Sequence, residues 1–280
     1  MSMADLHIHT TASDGLLGSY EVCQLAVKKG LAVIAITDHD TVLGLMEIEK
    51  NGRVPGLEVL PGIEISSFHD GEDVHILGFG INWGLKWLQE LLFDLRTDRK
   101  ERIKKIIILL NDLDYKITIE DVLGFSSGES LGRPHVAQAL AAKGYFKSHR
   151  EAFKALLDKG RPAYLPRKKI TPFEAVEVVH RSGGAAVLAH PGLLYNLDII
   201  RTLKVHGLDG IEVFYPLHSG ELVVSLTRYC EKNGLLATGG SDFHGFEGEE
   251  PAGWVNASVV KEILITTRNK GERKTNLRNQ

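Results

Sequence analysis

Leu31 to Thr37 reads Leu-Ala-Val-Ile-Ala-Ile-Thr, an apolar run without polar alternation. A strand of that kind is buried on both faces, as in parallel sheets covered by helices. The segment before it supplies such a helix. Ser19 to Gly30 has a serine at the cap position, apolar residues at helical spacing, a basic last turn and a glycine stop. Further strands are predicted at Met3 to Ile8, Leu57 to Ile65 and Val74 to Phe79. The alternation resumes late, at Ala185 to Ala189, Gly210 to Tyr215, Leu235 to Gly239 and Trp254 to Val260. Helices accompany these strands at Pro172 to Arg181, capped by Thr171, and at Ser219 to Asn233. Seven or eight strands separated by helices predict an α/β chain folded as a closed or nearly closed (β/α) barrel.

The middle of the chain differs. From Leu85 to Leu157 apolar residues recur at three- and four-residue steps, among them Leu88, Leu92 and Leu95, then Ile103, Ile106 and Leu110. Thr118 to Asp121 forms a capping-box pattern, and Arg133 to Lys143 and His149 to Asp158 read as two more helices. The predicted layout is a barrel in two parts, 1–84 and 166–266, with a small helical insertion at 85–165. A polar, basic segment at 267–280 without periodicity is expected to be a flexible tail. Arg96, Arg99 and Arg102 read as a solvated helix face, with guidance of an RNA strand as the alternative.

Composition narrows the function. With 43% hydrophobic and 25% charged residues the balance is that of a globular chain. A net charge of -3 argues against a broad duplex-DNA surface, yet leaves room for a small anion held by a local cluster. No apolar run approaches 18 residues and no leader pattern opens the sequence, so no membrane role is expected and a cytoplasmic location is. Cys23 and Cys230 stand far apart, without a C-x-x-C partner. The unusual count is 12 histidines.

Six of these, with three acids, fall on or just after predicted strands. His7 and His9, two apart, project to one face of the first strand, where two imidazoles can hold one metal. Asp14 follows in the next loop, His39 follows the Leu31 run, and Glu64 ends the Leu57 strand. His190 ends Ala185 to Ala189, and Asp242 and His244 form a second pair two apart. His75 lies nearer the start of its strand, which the strand prediction leaves unexplained. A single strand histidine is more often a hydrogen-bonded core residue than a ligand. The joint pattern points to metal, because carboxyl ends of barrel strands build the active site and nine ligands suit two or three ions. His69, His149, His180 and His206 do not share the pattern and read as solvated or capping residues. Asp38 and Asp40 suit orienting or loop-capping roles better than ligation.

Asp5 to Gly15 (DLHIHTTASDG), Ile36 to Asp40 (ITDHD), Gly62 to Ser66 (GIEIS), Ala189 to Pro191 (AHP) and Gly240 to Gly245 (GSDFHG) resemble the motifs of the polymerase and histidinol phosphatase (PHP) family. They occur in that family's order. The resemblance implies a metal-dependent phosphoesterase with a distorted (β/α)7 barrel and three divalent ions, manganese first and iron or zinc as alternatives. It assigns His7, His9, Glu64 and Asp242 to one ion, Glu64, His75 and His190 to a second, and Asp14, His39 and His244 to the third. Ser130 to Val136, Arg161 to Pro166 and Gly183 to Pro191 are similar to the branch acting on nucleoside 3',5'-bisphosphates and short 5'-phosphorylated RNA.

Three divalent ions against three carboxylates make a cationic site suited to a phosphate ester. A hydroxide bridging two ions is the expected nucleophile, and no side chain is assigned as general acid or protein nucleophile. Arg133, just before Pro134 at a helix start, is the first candidate to hold a second phosphate; its bland reading is a surface arginine. His135, Arg161 and His218 are weaker candidates. The expected substrate is a small phosphorylated nucleotide or short 5'-phosphorylated RNA. The rivals are another small phosphomonoester, an amidohydrolase-type hydrolase, and a non-catalytic metal or nucleotide sensor.

Overall fold

The computed structural model describes residues 2–52, 54–167 and 169–267. Its wall is β1 (Met3–Ile8), β2 (Leu31–Ile36), β3 (Glu58–His69), β4 (Glu72–Phe79), β5 (Ala185–Leu188), β6 (Gly210–Phe214) and β7 (Leu236–Gly239), with a two-residue β8 (Val255–Asn256). The strands lie in the order β7-β6-β5-β4-β3-β2-β1-β8. The ring is nearly closed: beyond β7 the chain returns to β1, where His9 N–H donates to Phe243 O at 2.9 Å and Ile8 bridges Phe243 in parallel.

Helices cover the wall because one face of each strand is apolar and must be buried. They are α1 (Ser19–Lys28), α2 (Leu43–Asn51), α7 (Pro172–Arg181), α8 (Ile199–Val205) and α9 (Gly220–Asn233). Ile34, Ile36, Ile63, Ile65, Ile76, Leu188, Ile211 and Val213 face this layer. Val33, Ala35, Leu60, Leu77, Phe79 and Val187 face inward and meet Val259, Val260 and Ile263. Those last residues correct the predicted strand at 254–260: after β8 the chain is helical over 258–267, filling the barrel interior with an apolar helix face. Ser19 also departs from expectation. Gly18 is the cap of α1, and the Ser19 hydroxyl donates to Glu47 Oε2 at 2.9 Å.

Between β4 and β5 lie α3 (Lys86–Asp112), α4 (Ile119–Leu123), α5 (Arg133–Ala142) and α6 (His149–Ala152), and, among the described residues, no strand. The predicted helix at 149–158 is split: α6 gives way to a π-helical turn at Phe153–Leu157. Leu88, Leu92 and Leu95 of α3 pack on the barrel, whereas Ile103, Ile106 and Leu110 pack with Val122, Val136, Leu140 and Leu157 in a second cluster. At 1.5 Å per residue α3 is about 40 Å long, enough to span both. Of the predicted tail, 268–280 lies outside the described residues. Among the described residues no helix is long and apolar enough to cross a membrane.

Strand direction explains His75. β4 runs antiparallel to both β3 and β5, so its start lies at the rim where its parallel neighbours end. β3 is longer than predicted, continuing to His69 in a hairpin with β4, and Glu64 lies within it instead of at its end.

Candidate metal centre

All nine predicted ligands meet at this rim, around the buried carboxylate of Glu64. His7 Nε2 lies 3.1 Å from His9 Nε2. Glu64 Oε2 is 3.4 Å from His7 Nε2, 3.2 Å from His9 Nε2 and 2.9 Å from His39 Nδ1. Its other oxygen is 2.9 Å from His75 Nδ1 and 3.1 Å from His190 Nε2. Asp242 Oδ1 is 3.4 Å from His7 Nε2 and 3.2 Å from His9 Nε2. Asp14 faces His244 Nε2 at 3.5 Å and His39 Nε2 at 3.9 Å.

These donors suit cations. Glu64 Oε2, Asp14 Oδ1 and His190 Nδ1 are buried without an aligned hydrogen bond, an expensive state for polar atoms unless an ion completes it. Four sets bring ligand atoms within 4.8 Å of one another: His9, Asp14, His39 and His244; His7, Glu64 and His190; His7, His9 and Asp242; and His39, Glu64 and His75. The grouping differs in detail from the implied one, since His9 joins the Asp14 set and His39 also approaches Glu64 and His75.

The electrostatics follow from crowding. Burial pushes Glu64 up, but His39, His75 and His7 outweigh it and hold the carboxyl well below its usual range. Asp14 is likewise low despite burial, through His39 and His244. Burial alone would lower His9, yet Asp242 and Glu64 raise it to about 10. In His39 burial prevails and lowers the ring to about 4.

Neighbouring residues fix the rings. His7 Nδ1 bonds Glu212 Oε1 at 3.0 Å, and His190 N–H donates to Glu212 Oε2 at 2.7 Å. Glu212 thereby turns His7 Nε2 inward. Sequence reasoning missed it; its signal is an acid inside the apolar run Gly210 to Tyr215. Asp5, also missed, accepts from His7 N–H, Ser241 N–H and Ala252 N–H, and burial raises its carboxyl to about 6. Asp38 accepts from Thr10 N–H at 2.8 Å and Ser13 Oγ at 2.6 Å, bracing the loop before Asp14. Asp40, His190 and Asp242 all have positive φ, at 53°, 27° and 54°.

A cavity of about 160 Å³ opens at the cluster, lined by Asp14, His39, His75 and His244 and also by Arg99, Arg102 and Arg133. This corrects the solvated-face reading of α3: Arg99 is only 7% exposed. Its Nε donates to Asp40 Oδ2 at 2.6 Å, and Arg167 Nη1 donates to the same oxygen at 2.7 Å. Arg133 lines the cavity, with Nη2 at 3.0 Å from Asp73 Oδ2. Burial leads in lowering Arg102, to about 9, with Arg133 adding to it. The other three candidates do not line this cavity. His135 is buried and accepts from Gly132 N–H, Arg161 is exposed, and His218 accepts from Gly192 N–H at 3.0 Å while its Nδ1 bonds Val213 O.

The matching family model, the PHP domain, covers residues 5–159. The chain belongs to the PHP family. It is similar to the 5'-3' exoribonuclease Rnm of Escherichia coli, 33% identical over 261 residues, 90% of this chain and 86% of that one. It also resembles the phosphoribosyl 1,2-cyclic phosphate 1,2-diphosphodiesterase of Eggerthella lenta, 33% identical over 88% of this chain and 96% of that one. The 3',5'-nucleoside bisphosphate phosphatase of Chromobacterium violaceum is 32% identical over 87% and 88% respectively. A solved structure described as a metal-dependent phosphoesterase, from Bifidobacterium adolescentis, superimposes with a TM-score of 0.84 at 30% identity, covering 94% of this chain and 96% of that one.

Proposed function

We propose that this metal-dependent phosphoesterase hydrolyses the 3'-phosphoester of nucleotides that carry a 5'-phosphate. Nucleoside 3',5'-bisphosphates and short 5'-phosphorylated RNA, taken from the 5' end, are its substrates. The observation that carries the reading is that Arg99, Arg102 and Arg133 line one cavity together with His39, His75 and His244. Relatives named for both substrate types support it.

In this reading His7, His9, Glu64, Asp242, His75, His190, Asp14, His39 and His244 hold three divalent ions, manganese first. Bound there, such ions supply Lewis-acid charge and lower the pKa of water toward neutrality. Glu212 and Asp5 hold the ligands in register. Arg133 and Arg102 grip the 5'-phosphate, with charge-assisted bonds suited to its oxygens. Gripped there, the nucleotide turns its 3' oxygen to the histidine cluster. A terminal 3'-phosphate then leaves as inorganic phosphate; a 3'-linked chain leaves as shortened RNA, freeing a nucleoside 5'-monophosphate. One geometry serves both activities.

Steady-state kinetics of Arg133→Ala test the grip. KM for a nucleoside 3',5'-bisphosphate and for a 5'-phosphorylated trinucleotide should both rise by about tenfold or more, the loss of one charge-assisted contact. Unchanged KM for both substrates would remove the arginine pocket from the account.

A further inference from the structure

The arginine cavity contains its own carboxylate. Asp73 and His75 lie on the same face of β4, so Asp73 stands one pleat nearer the rim than a histidine of the cluster. Asp73 Oδ2 accepts from Arg133 Nη2 at 3.0 Å and from Tyr164 Oη at 3.4 Å. The Arg133 guanidinium lies between two aromatic faces, 5.3 Å from the Phe153 ring centre and 5.4 Å from that of Tyr164. It is therefore held in place before any ligand arrives. Arg102 is tied through Nε to Leu165 O at 2.7 Å, but its Nη2 is buried without a hydrogen-bond partner. A buried guanidinium nitrogen left in that state favours an incoming anion.

The charges can be grouped by partner. Arg99 and Arg167 share Asp40; Arg133 pairs with Asp73, with Arg102 beside them. Four guanidinium groups against Asp40 and Asp73 leave two positive charges, with Asp14 counted in the histidine cluster and Asp98, 3.6 Å from Arg167 Nε but 37% exposed, screened by solvent outside the cavity wall. A phosphomonoester dianion matches that remainder. A 5'-hydroxyl end brings no charge to the cavity and a 5'-triphosphate brings too much.

We propose that Asp73 is a specificity-determining residue that trims the arginine cavity to the charge of a single phosphate, selecting 5'-monophosphate ends over 5'-triphosphate and 5'-hydroxyl ends. The proposal rests on the 5'-phosphate reading above. Asp73→Asn keeps the shape and removes the charge; Asp73→Glu keeps the charge.

The test is kcat/KM of the manganese-loaded enzyme on one trinucleotide sequence bearing a 5'-hydroxyl, 5'-monophosphate or 5'-triphosphate. Wild type should favour the monophosphate. Asp73→Asn should shift the triphosphate-to-monophosphate ratio upward by about tenfold, the scale of one charge across a partly screened contact. Asp73→Glu should keep the wild-type ratio. Inhibition by tripolyphosphate relative to inorganic phosphate, with the 3',5'-bisphosphate as substrate, should shift the same way in Asp73→Asn. If KM for the monophosphate rises while both ratios stay fixed, Asp73 merely positions Arg133 and the proposal is overturned. A wild-type enzyme indifferent to the 5' end fails differently: it overturns the 5'-phosphate reading and this proposal with it.

Discussion

Glu212 shows how much of the centre depends on a residue that touches no substrate. Its two oxygens hold the His7 ring and the His190 backbone, so Glu212→Gln should weaken metal binding by about 10- to 100-fold. Metal content after dialysis against a graded chelator checks this, with circular dichroism showing an unchanged fold. Three non-glycine residues with positive φ, Asp40, His190 and Asp242, cluster here; such strain costs about 1–3 kcal/mol each and persists where surroundings enforce it. At this scale the sequence shows the metal candidates well, because His-x-His and Asp-x-His spacing survives any error in strand boundaries. It shows Arg99 and Arg102 poorly. Arginines three apart on a helix read as solvated until a partner such as Asp40, 59 positions away, is known. The cysteines offer a separate check. Burial pushes both thiols up to about 11, so native protein at pH 8 should resist a thiol-labelling reagent, and denatured protein should label at Cys23 and Cys230.

Between elements, the buried tie at Asp40 joins the loop after β2 to three other segments. Its carboxylate accepts from Arg99 of α3, from Arg167 beyond the insertion, and from the Ser66 N–H of β3. Asp40→Ala leaves the buried Arg99 without its carboxylate and Arg167 with only the half-exposed Asp98, and should cost about 3–5 kcal/mol, read from urea unfolding of wild type and variant. The wall of the barrel is legible from apolar runs alone. The direction of β4 is not, since a strand's sequence carries no mark of which neighbour it will pair with. Nor does Trp254 to Val260 show that only two of its residues pair, because an apolar run that short fits a buried helix face as well as a strand.

For the molecule as a whole, metal loading and protonation are linked. Among the candidate ligands His7 and His9 are raised above their usual range by the facing carboxylates, while Glu64, Asp14 and Asp242 are held low. Imidazole must be neutral to ligate, so manganese binding at pH 7 should release protons and tighten as pH rises. Calorimetric titrations in buffers of different ionisation enthalpy measure that release directly. The central claim is that one rim joins a metal centre to a 5'-phosphate pocket and cuts at the 3' oxygen between them. Its most direct test is product analysis, by chromatography with mass detection, after manganese-loaded enzyme meets a short 5'-phosphorylated RNA. The account predicts stepwise release of nucleoside 5'-monophosphates from the 5' end. Fragments ending in a 3'-phosphate, or loss of the 5'-phosphate from an otherwise intact chain, would contradict it.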